Sequence, residues 1–308
     1  MTAPTAPGRD ALGLLRPVVD EVLERHLAEC SGDLARRDVR AGVLVEEISR
    51  LVRAGGKRLR PAFCFWGYRA ASASGSAEVD AGEPIVRAAS ALELLHTMAL
   101  IHDDLMDEAV ERRGVPSSAS HLAEVAAERG LPVDRRRFGR SAALLAGDLA
   151  AVLADRLLLT SGFDAAAIAR ALVPYHEMRL DMAAGQLLDV SGSTGVAPVS
   201  GAAEGLDRWT SAARLKGGSY TVEGPLLVGA ALAGDRDDVR RSLRAFGAPL
   251  GEAFQLRDDL LDAEGAPGVT ASDVNALVDR ARSALRGSPI DPDAAASLDG
   301  LASLVAMA

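Results

Sequence analysis

Two short runs of aspartate in this sequence have the residue types and the spacing to bind divalent cations. Each run places three carboxylates at positions i, i+1 and i+4: Asp103, Asp104 and Asp107, then Asp258, Asp259 and Asp262. On a helix, residues three and four apart are neighbours, so like charges there are destabilising unless a cation lies between them. Carboxylates without histidine or cysteine favour Mg²⁺ or Mn²⁺ over zinc. The pattern predicts several magnesium ions that clamp a phosphorylated ligand.

Apolar segments precede both aspartate runs and indicate where the carboxylates lie. Ala88–Ile101 comes before the first run, and Leu250–Leu256 comes before the second. Because such segments favour buried helices, they would bring the aspartates to the edge of a core. A solvated acidic face is the alternative interpretation, and it is weaker because the pattern occurs twice.

Basic residues on both sides of the first aspartate run offer partners for phosphate. Lys57 and Arg60 lie in the segment Gly55–Pro61, which lacks the upstream glycine and the Ser or Thr of a P-loop. Two interpretations fit this segment. It is either a turn that presents both side chains to phosphate or a basic turn that is only exposed to solvent. Arg112 and Arg113 suit bidentate binding of diphosphate oxygens, or neutralisation of the neighbouring acids.

Composition excludes several classes of function. The chain has 308 residues, of which 48% are hydrophobic and 25% charged, as in a globular protein of one large or two small domains. A formal net charge of −9 argues against coating of nucleic acid. The two cysteines, Cys30 and Cys64, suit a reducing compartment, and no secretory signal is recognised, so we expect a cytoplasmic protein. The sequence contains no run of about 18 apolar residues, which is the length that a membrane span requires.

Helical periodicity dominates the chain and predicts the elements that position these side chains. The pair Gly55–Gly56 suits a helix C-terminus, and Pro61 suits the first turn of the next helix. Breaks are expected at Pro225, Pro249 and Pro289. With no alternating strand pattern, the sequence predicts an all-α fold, with residues 1–10 as a flexible leader and residues 11–308 as one domain. Predicted helices include residues 12–26, 34–54, 84–108, 138–161, 164–190, 203–233, 236–262 and 273–306.

Taken in chain order, these motifs resemble the trans-type isoprenyl diphosphate synthases. The resemblance covers residues 12–265 and implies a single helical bundle around a central cavity. It rests on the glycine-lysine-arginine segment and the aspartate runs, together with further matches along the chain: Glu93–His96, Leu145–Asp148, Gly185–Asp189, Lys216 and Phe254–Asp259.

The resemblance implies a role for each matching residue. Both aspartate runs would bind Mg²⁺, three ions in all, with Mn²⁺ as a substitute. Arg112 and Lys216 would contact the allylic diphosphate, and Gln255 would lie near that substrate. Four basic side chains would hold isopentenyl diphosphate: Lys57, Arg60, His96 and Arg113. Five residues would be catalytic: Asp103, Asp104, Lys216, Asp258 and Asp259. The other histidines, His26, His102, His121 and His176, are interpreted as structural.

The implied reaction is Mg²⁺-dependent prenyl transfer in a homodimer. Isopentenyl diphosphate would condense with dimethylallyl, geranyl or farnesyl diphosphate to give a linear trans-prenyl diphosphate. The growing chain would pass Ala99 and Met98, which lie at i−4 and i−5 from Asp103 and are not aromatic. Leu94 and Leu95 would form the floor of the tunnel, which favours geranylgeranyl diphosphate (C20) as the product.

Two departures from the family pattern keep other functions open. Gly217 and Gly218 follow Lys216, where the family usually has a hydroxyl residue and then a small one, and no lysine follows Lys216. The segment after Asp262 is also shorter than in the family. This shortening gives weight to a non-catalytic regulatory subunit of a synthase. A class I terpene cyclase is the other alternative, although its second metal motif is missing and aromatic residues are only 4% of the chain.

Overall fold

Helices account for nearly all of the regular structure in the described part of the chain. The protein is represented by a computed structural model that describes residues 7–72, 83–112, 114–193, 214–234, 236–261 and 270–307. Within these residues there are eleven α-helices, one 3₁₀ helix (Val39–Ala41), one π-helical segment and one pair of two-residue strands. The all-α fold predicted from the sequence is confirmed.

The elements follow one another closely along the chain. The α-helices are α1 (Pro7–Ala35), α2 (Gly42–Arg53), α3 (Leu59–Ala71), α4 (Pro84–Met106), α5 (Ser118–Glu128), α6 (Arg135–Leu159), α7 (Ala165–Ser193), α8 (Gly224–Ala233), α9 (Asp237–Leu261), α10 (Ala271–Leu285) and α11 (Pro292–Met307). A π-helical segment, Arg214–Glu223, leads directly into α8. The strands β1 (Glu111–Arg112) and β2 (Val115–Pro116) form an antiparallel hairpin.

The chain divides into two compact units. The first unit comprises Pro17–Lys57 and Asp80–Gly162, and the second comprises Met1–Arg16, Arg58–Val79 and Phe163–Ala308. The first unit therefore contains the Asp103 run, and the second contains Asp258. The single domain predicted for residues 11–308 remains a prediction, and each unit is described by itself.

The first unit is built around the apolar helix α4. Helix α6 packs against both α4 and α5, and α2 packs against α4 and α6. The core side chains are almost fully buried: Ile48, Leu92, Ile101, Leu122 and Leu153. Asp134 caps α6, because its side chain accepts a hydrogen bond from the Arg137 backbone N–H at 2.7 Å. These contacts fix α4 in the middle of the unit, with the aspartates at its C-terminal end.

The second unit depends on very close approaches between helices. Helix α3 packs against α8, and a Cβ atom added to Gly67 or Gly229 would overlap backbone atoms of the other helix. The π-helical segment packs against α7 and α9. A Cβ added to Gly218 would lie 3.0 Å from the carbonyl carbon of Gly251 on α9. Glycine is needed at these positions because only a missing Cβ lets the backbones come so close.

Several predicted element boundaries differ from the structure. The first helix begins at Pro7, inside the predicted leader, and extends to Ala35, so the second helix starts only at Gly42. The predicted break at Pro289 is confirmed by the gap between α10 and α11. The break at Pro249 is wrong, because this residue lies inside α9. Helix α5 and the hairpin were not predicted.

Helix α4 is long and apolar enough to cross a membrane by length and composition alone. This differs from the sequence analysis, which predicted no span. Of its most apolar 18-residue window, 67% is buried inside the protein. Burial of this kind is what a core helix requires, so the composition of α4 is weak evidence for a span.

Candidate active site

The first aspartate run forms the end of α4. Asp107 is the C-terminal cap of this helix, and its backbone N–H donates to the carbonyl of Asp103 at 2.9 Å. The Asp104 side chain is buried, whereas Asp107 is exposed. The sequence prediction that an apolar helix brings these carboxylates to the edge of a core therefore holds for Asp104 and does not hold for Asp107.

Arg112 joins two of these carboxylates. From strand β1, its Nε donates to Oδ1 of Asp104 at 2.6 Å and its Nη2 donates to Oδ2 of Asp103 at 2.9 Å. Burial raises the pKa of the Asp104 carboxyl above its ordinary value, and the hydrogen bond from Arg112 opposes that rise. These contacts show Arg112 beside the acids that it would neutralise, and its binding of diphosphate stays a prediction.

The hairpin that carries Arg112 is very short. Glu111 pairs with Pro116 and Arg112 with Val115, and Gly114 adopts φ +79°, in the left-handed region that glycine tolerates best. Arg113 lies outside the described residues, so its predicted role is not placed. A two-residue strand is too short to give an alternating pattern, and for this reason the sequence analysis missed it.

The donor chemistry of the first run suits Mg²⁺, but the carboxylates are not arranged as a ready-made site. Within the described residues, no three His, Cys, Asp or Glu side chains are grouped so that they could hold a metal ion. Asp103 and Asp104 both accept hydrogen bonds from Arg112, and Asp107 is exposed at the end of the helix. An ion would therefore share Asp103 and Asp104 with the guanidinium, or displace it.

The second aspartate run is only partly described. Asp258 lies on the last turns of α9 and is half-buried. The side chain of Asp259 and all of Asp262 lie outside the described residues. The predicted metal-binding roles of these three residues stay predictions.

The glycine-lysine-arginine segment is an irregular connection between α2 and α3. Gly55 has φ +90° and Arg58 has φ +55°, which is uncommon for a residue with a side chain. Lys57 is exposed, whereas Arg60 is buried in the first turn of α3. A solvated basic turn thus describes Lys57 but not Arg60.

Arg60 is held by the π-helical segment. Its Nη2 donates to Oγ1 of Thr221 at 2.8 Å, and its guanidinium carbon lies 4.3 Å from the centre of the Tyr220 ring. Among the described residues, the buried Nε has no hydrogen-bond partner. Because an unmet buried donor costs free energy, this nitrogen is suited to an added acceptor such as a phosphate oxygen.

Fewer contacts are described for the remaining predicted site residues. His96 lies half-buried on α4. The backbone of Lys216 belongs to the π-helical segment, but its side chain lies outside the described residues. Gln255 lies on α9, and a Cβ atom added to Gly217 would overlap its Oε1. Gly217, which replaces the family's usual hydroxyl residue, therefore leaves the space that Gln255 occupies.

His102, which the sequence analysis interprets as structural, packs against α6. A Cβ atom added to Gly147 on α6 would overlap its ring. The ring Nε2 lies 3.3 Å from the carbonyl oxygen of Leu144 and 3.6 Å from Oδ1 of Asp148. Since His102 immediately precedes Asp103, this packing fixes the last turn of α4 against α6. The sequence feature that indicates this contact is Gly147, the glycine of the Leu145–Asp148 motif.

Comparisons with known proteins point to one family. The sequence profile of the polyprenyl synthetase family matches residues 42–276. The chain is 30% identical over 231 residues to a geranylfarnesyl diphosphate synthase of Aeropyrum pernix, covering 73% of this chain and 63% of the relative. It is 31% identical over 254 residues to a geranylgeranyl diphosphate synthase of Methanosarcina mazei, covering 81% of this chain and 68% of the relative.

A solved structure is similar over almost the whole chain. It is a geranylgeranyl pyrophosphate synthase from Corynebacterium glutamicum, complexed with isoprenyl diphosphate and magnesium. The TM-score is 0.85 at 26% identity, with 95% of this chain and 98% of the other covered. In contrast, the chain spans only 51% to 63% of the length of the first curated relatives that it matches.

Proposed function

Because this chain belongs to the polyprenyl synthetase family, we propose that it is a trans-prenyl diphosphate synthase. Its substrates are isopentenyl diphosphate and an allylic diphosphate: dimethylallyl, geranyl or farnesyl. The observation that carries the proposal is the pair of hydrogen bonds that Arg112 donates to Asp103 and Asp104 at the end of an apolar helix. This arrangement supplies hard oxygen donors and a phosphate-binding cation side by side.

The aspartates would hold the metal, and the basic side chains would hold the phosphates. Each aspartate run would hold Mg²⁺, Asp103, Asp104 and Asp107 in the first run and Asp258, Asp259 and Asp262 in the second, and the metal would supply positive charge to the leaving diphosphate. Arg112, which donates to Asp103 and Asp104, would also donate to the allylic diphosphate, and Lys216 would contact the same diphosphate. Arg60, whose Nε has no partner in the described part of the chain, would bind isopentenyl diphosphate with Lys57, His96 and Arg113.

The reaction is ionisation followed by condensation and elimination. The allylic C–O bond breaks, and its electron pair leaves with the diphosphate. The alkene of isopentenyl diphosphate then donates the electron pair of the new C–C bond. A proton on the neighbouring carbon is lost to the departed diphosphate, which restores a double bond. The apolar side chains of α4 keep water from the cation.

We propose geranylgeranyl diphosphate as the main product because of the side chains on α4. Met98 and Ala99 are half-buried about one turn before Asp103, whereas Leu94 and Leu95 are fully buried one turn further back. This order supports a tunnel that stays open beyond a C15 chain and is closed near C20. The two relatives named above make products of different length, so the length in this chain depends on its own residues.

Replacement of Met98 or Ala99 by Phe is expected to shorten the product. The ring would occupy the path of the growing chain one turn from the aspartates, so the main product should shift to C15. Total isopentenyl incorporation should change by less than about threefold, because neither residue contacts the diphosphates. Chromatography of the dephosphorylated products measures the shift. A wild-type product of C10 or C15, or an unchanged product in both variants, would contradict the tunnel assignment.

We further propose that the chain forms a homodimer. Two helices expose large apolar side chains at seven-residue intervals: Leu145, Val152 and Leu159 on α6, and Val173, Leu180 and Leu187 on α7. All six are more than half exposed. A seven-residue repeat places side chains in one stripe along a helix, which is the surface that another helix covers. A second copy of the chain presents the same stripes, as a two-fold interface requires.

A charge in the middle of the α6 stripe is expected to separate the dimer. Val152→Glu should weaken association by at least ~30-fold, about 2 kcal/mol, because it buries an unpaired carboxylate. Sedimentation at micromolar concentration measures the change. Val39→Glu, at an even more exposed position outside both stripes, is the control and should leave the dimer intact. A wild-type monomer at this concentration contradicts the proposal.

A cytoplasmic location completes the proposal. Cys30 and Cys64 are both free and buried, as is common in reducing compartments.

An elongation assay on the purified chain tests the function. Labelled isopentenyl diphosphate is supplied with each allylic diphosphate and Mg²⁺. Linear prenyl diphosphates support the synthase, whereas a cyclic hydrocarbon would identify a terpene cyclase. Turnover only after addition of a partner synthase would identify a regulatory subunit.

A further inference from the structure

A buried carboxylate lies in the same compact unit as Asp103 and Arg112. The side chain of Glu47 on α2 is completely buried, although its neighbour Glu46 is exposed. Glu47 accepts hydrogen bonds from Nε of Arg50 at 2.9 Å and from Nη2 of Arg50 at 2.7 Å. On the other side, Nδ1 of His121 on α5 lies 2.6 Å from Oε2 of Glu47. The carboxylate is therefore held between two elements of the first unit.

The contacts of Glu47 maintain its charge. Burial alone raises the pKa of a carboxyl group, but the hydrogen bonds from Arg50 and the nearby His121 leave the pKa of Glu47 below its ordinary value. A buried ion pair stabilises a fold little compared with an apolar cluster of the same size. What the ion pair of Glu47 does provide is a fixed orientation of the side chains that form it.

Arg50 transmits this geometry to the hairpin. Besides its two bonds to Glu47, its Nη2 donates to the carbonyl oxygen of Pro116 at 3.2 Å. Pro116 belongs to β2 and pairs with Glu111, the residue before Arg112 on β1. The charge of Arg50 also acts on the Asp104 carboxylate. A continuous series of contacts thus leads from His121 through Glu47 and Arg50 to Arg112 and the aspartates.

We propose that Glu47 and His121 are positioning residues, which orient Arg50 so that the hairpin holds Arg112 against Asp103 and Asp104. The inference rests on the proposed prenyl transfer, because it concerns the same diphosphate site. It assigns the buried cluster to the binding of Mg²⁺ and diphosphate rather than to the stability of the fold alone. Glu47 and His121 would act through Arg50 and not by contact with substrate.

Binding of inorganic pyrophosphate with Mg²⁺ tests the inference without turnover. Glu47→Gln keeps the shape of the side chain but removes its charge, so Arg50 loses its ionic partner. Affinity measured by calorimetry should fall by about 10- to 100-fold, as is typical when a supporting partner of a metal site is removed. Glu46→Gln, at the adjacent exposed carboxylate, is the matched control and should bind as the wild type does.

A folded Glu47→Gln variant that binds Mg²⁺ and pyrophosphate like the wild type overturns the inference. Should this variant fail to fold, Arg50→Lys provides the test, because it keeps the charge but loses the fork. Arg50→Lys should weaken binding in the same way, and wild-type affinity in this variant also overturns the inference. Weakened binding in a chain without prenyl transfer supports the positioning role and refutes the proposed function, so the two failures are distinguishable.

Discussion

Asp104→Ala is expected to reduce prenyl transfer by roughly 10³-fold. Asp104 is the most buried carboxylate of the first aspartate run, and it accepts the shorter of the two hydrogen bonds from Arg112. Its removal takes away an oxygen that would bind the metal and one anchor of the guanidinium that would bind the allylic diphosphate. Helical content should be unchanged, because removal of a carboxylate from this turn relieves repulsion.

Steady-state turnover at saturating Mg²⁺, together with circular dichroism, measures this effect. Glu128→Ala removes an exposed carboxylate from the end of α5 and serves as the control, with turnover within about twofold of the wild type. Turnover of Asp104→Ala above about a tenth of the wild-type value would contradict the role of this residue in the reaction.

Gly229→Ala is expected to cause the largest loss of stability. A Cβ atom at this position on α8 would overlap the carbonyl oxygen of Cys64 on α3, and it would lie 2.7 Å from the backbone nitrogen of Tyr68. Backbone atoms cannot move aside as a side chain can, so the two helices must separate. We expect a cost of about 3 kcal/mol and a melting temperature lower by about 5–10 °C.

Thermal denaturation measures this loss, and another glycine provides the matched control. Gly13 lies within α1, and an added Cβ would meet no atom of the described residues within 4 Å apart from its chain neighbours and its own helix backbone. Gly13→Ala should therefore stabilise the protein by about 0.5–1 kcal/mol, through the higher helix propensity of alanine. Equal melting temperatures for Gly229→Ala and the wild type would show that α3 and α8 are not closely packed. Since Arg60 lies in the first turn of α3, loosened packing should also weaken the binding of isopentenyl diphosphate that we propose for this residue.

The sequence predicts elements well where a long apolar pattern is present. Helix α4 was expected at residues 84–108 and lies at Pro84–Met106, because apolar residues continue up to the aspartates. Shorter elements gave no such signal, and the hairpin with Arg112 was missed. Pro249 was expected to break a helix, but the packing of α9 against its neighbours keeps the helix continuous through it.

The candidate site was predictable in its residue types but not in its pairings. Spacing alone identified Asp103, Asp104 and Arg112 as neighbours in the chain, and the structure adds that the arginine bonds to both carboxylates. The adjacent acids Glu46 and Glu47 look alike in sequence. Only the packing of α2 against the rest of the first unit determines that one is exposed and the other buried.

Mass spectrometry of the products formed by the purified chain tests the central claim most directly. The chain is incubated with isopentenyl diphosphate and geranyl diphosphate, first with Mg²⁺, then with EDTA, and then with Mg²⁺ restored. We predict linear prenyl diphosphates lengthened by whole C5 units, with the C20 species as the main product. Products should be absent in EDTA and should return with Mg²⁺. Undiminished elongation in EDTA, or no elongated diphosphate in the presence of Mg²⁺, would contradict the proposed prenyl transfer.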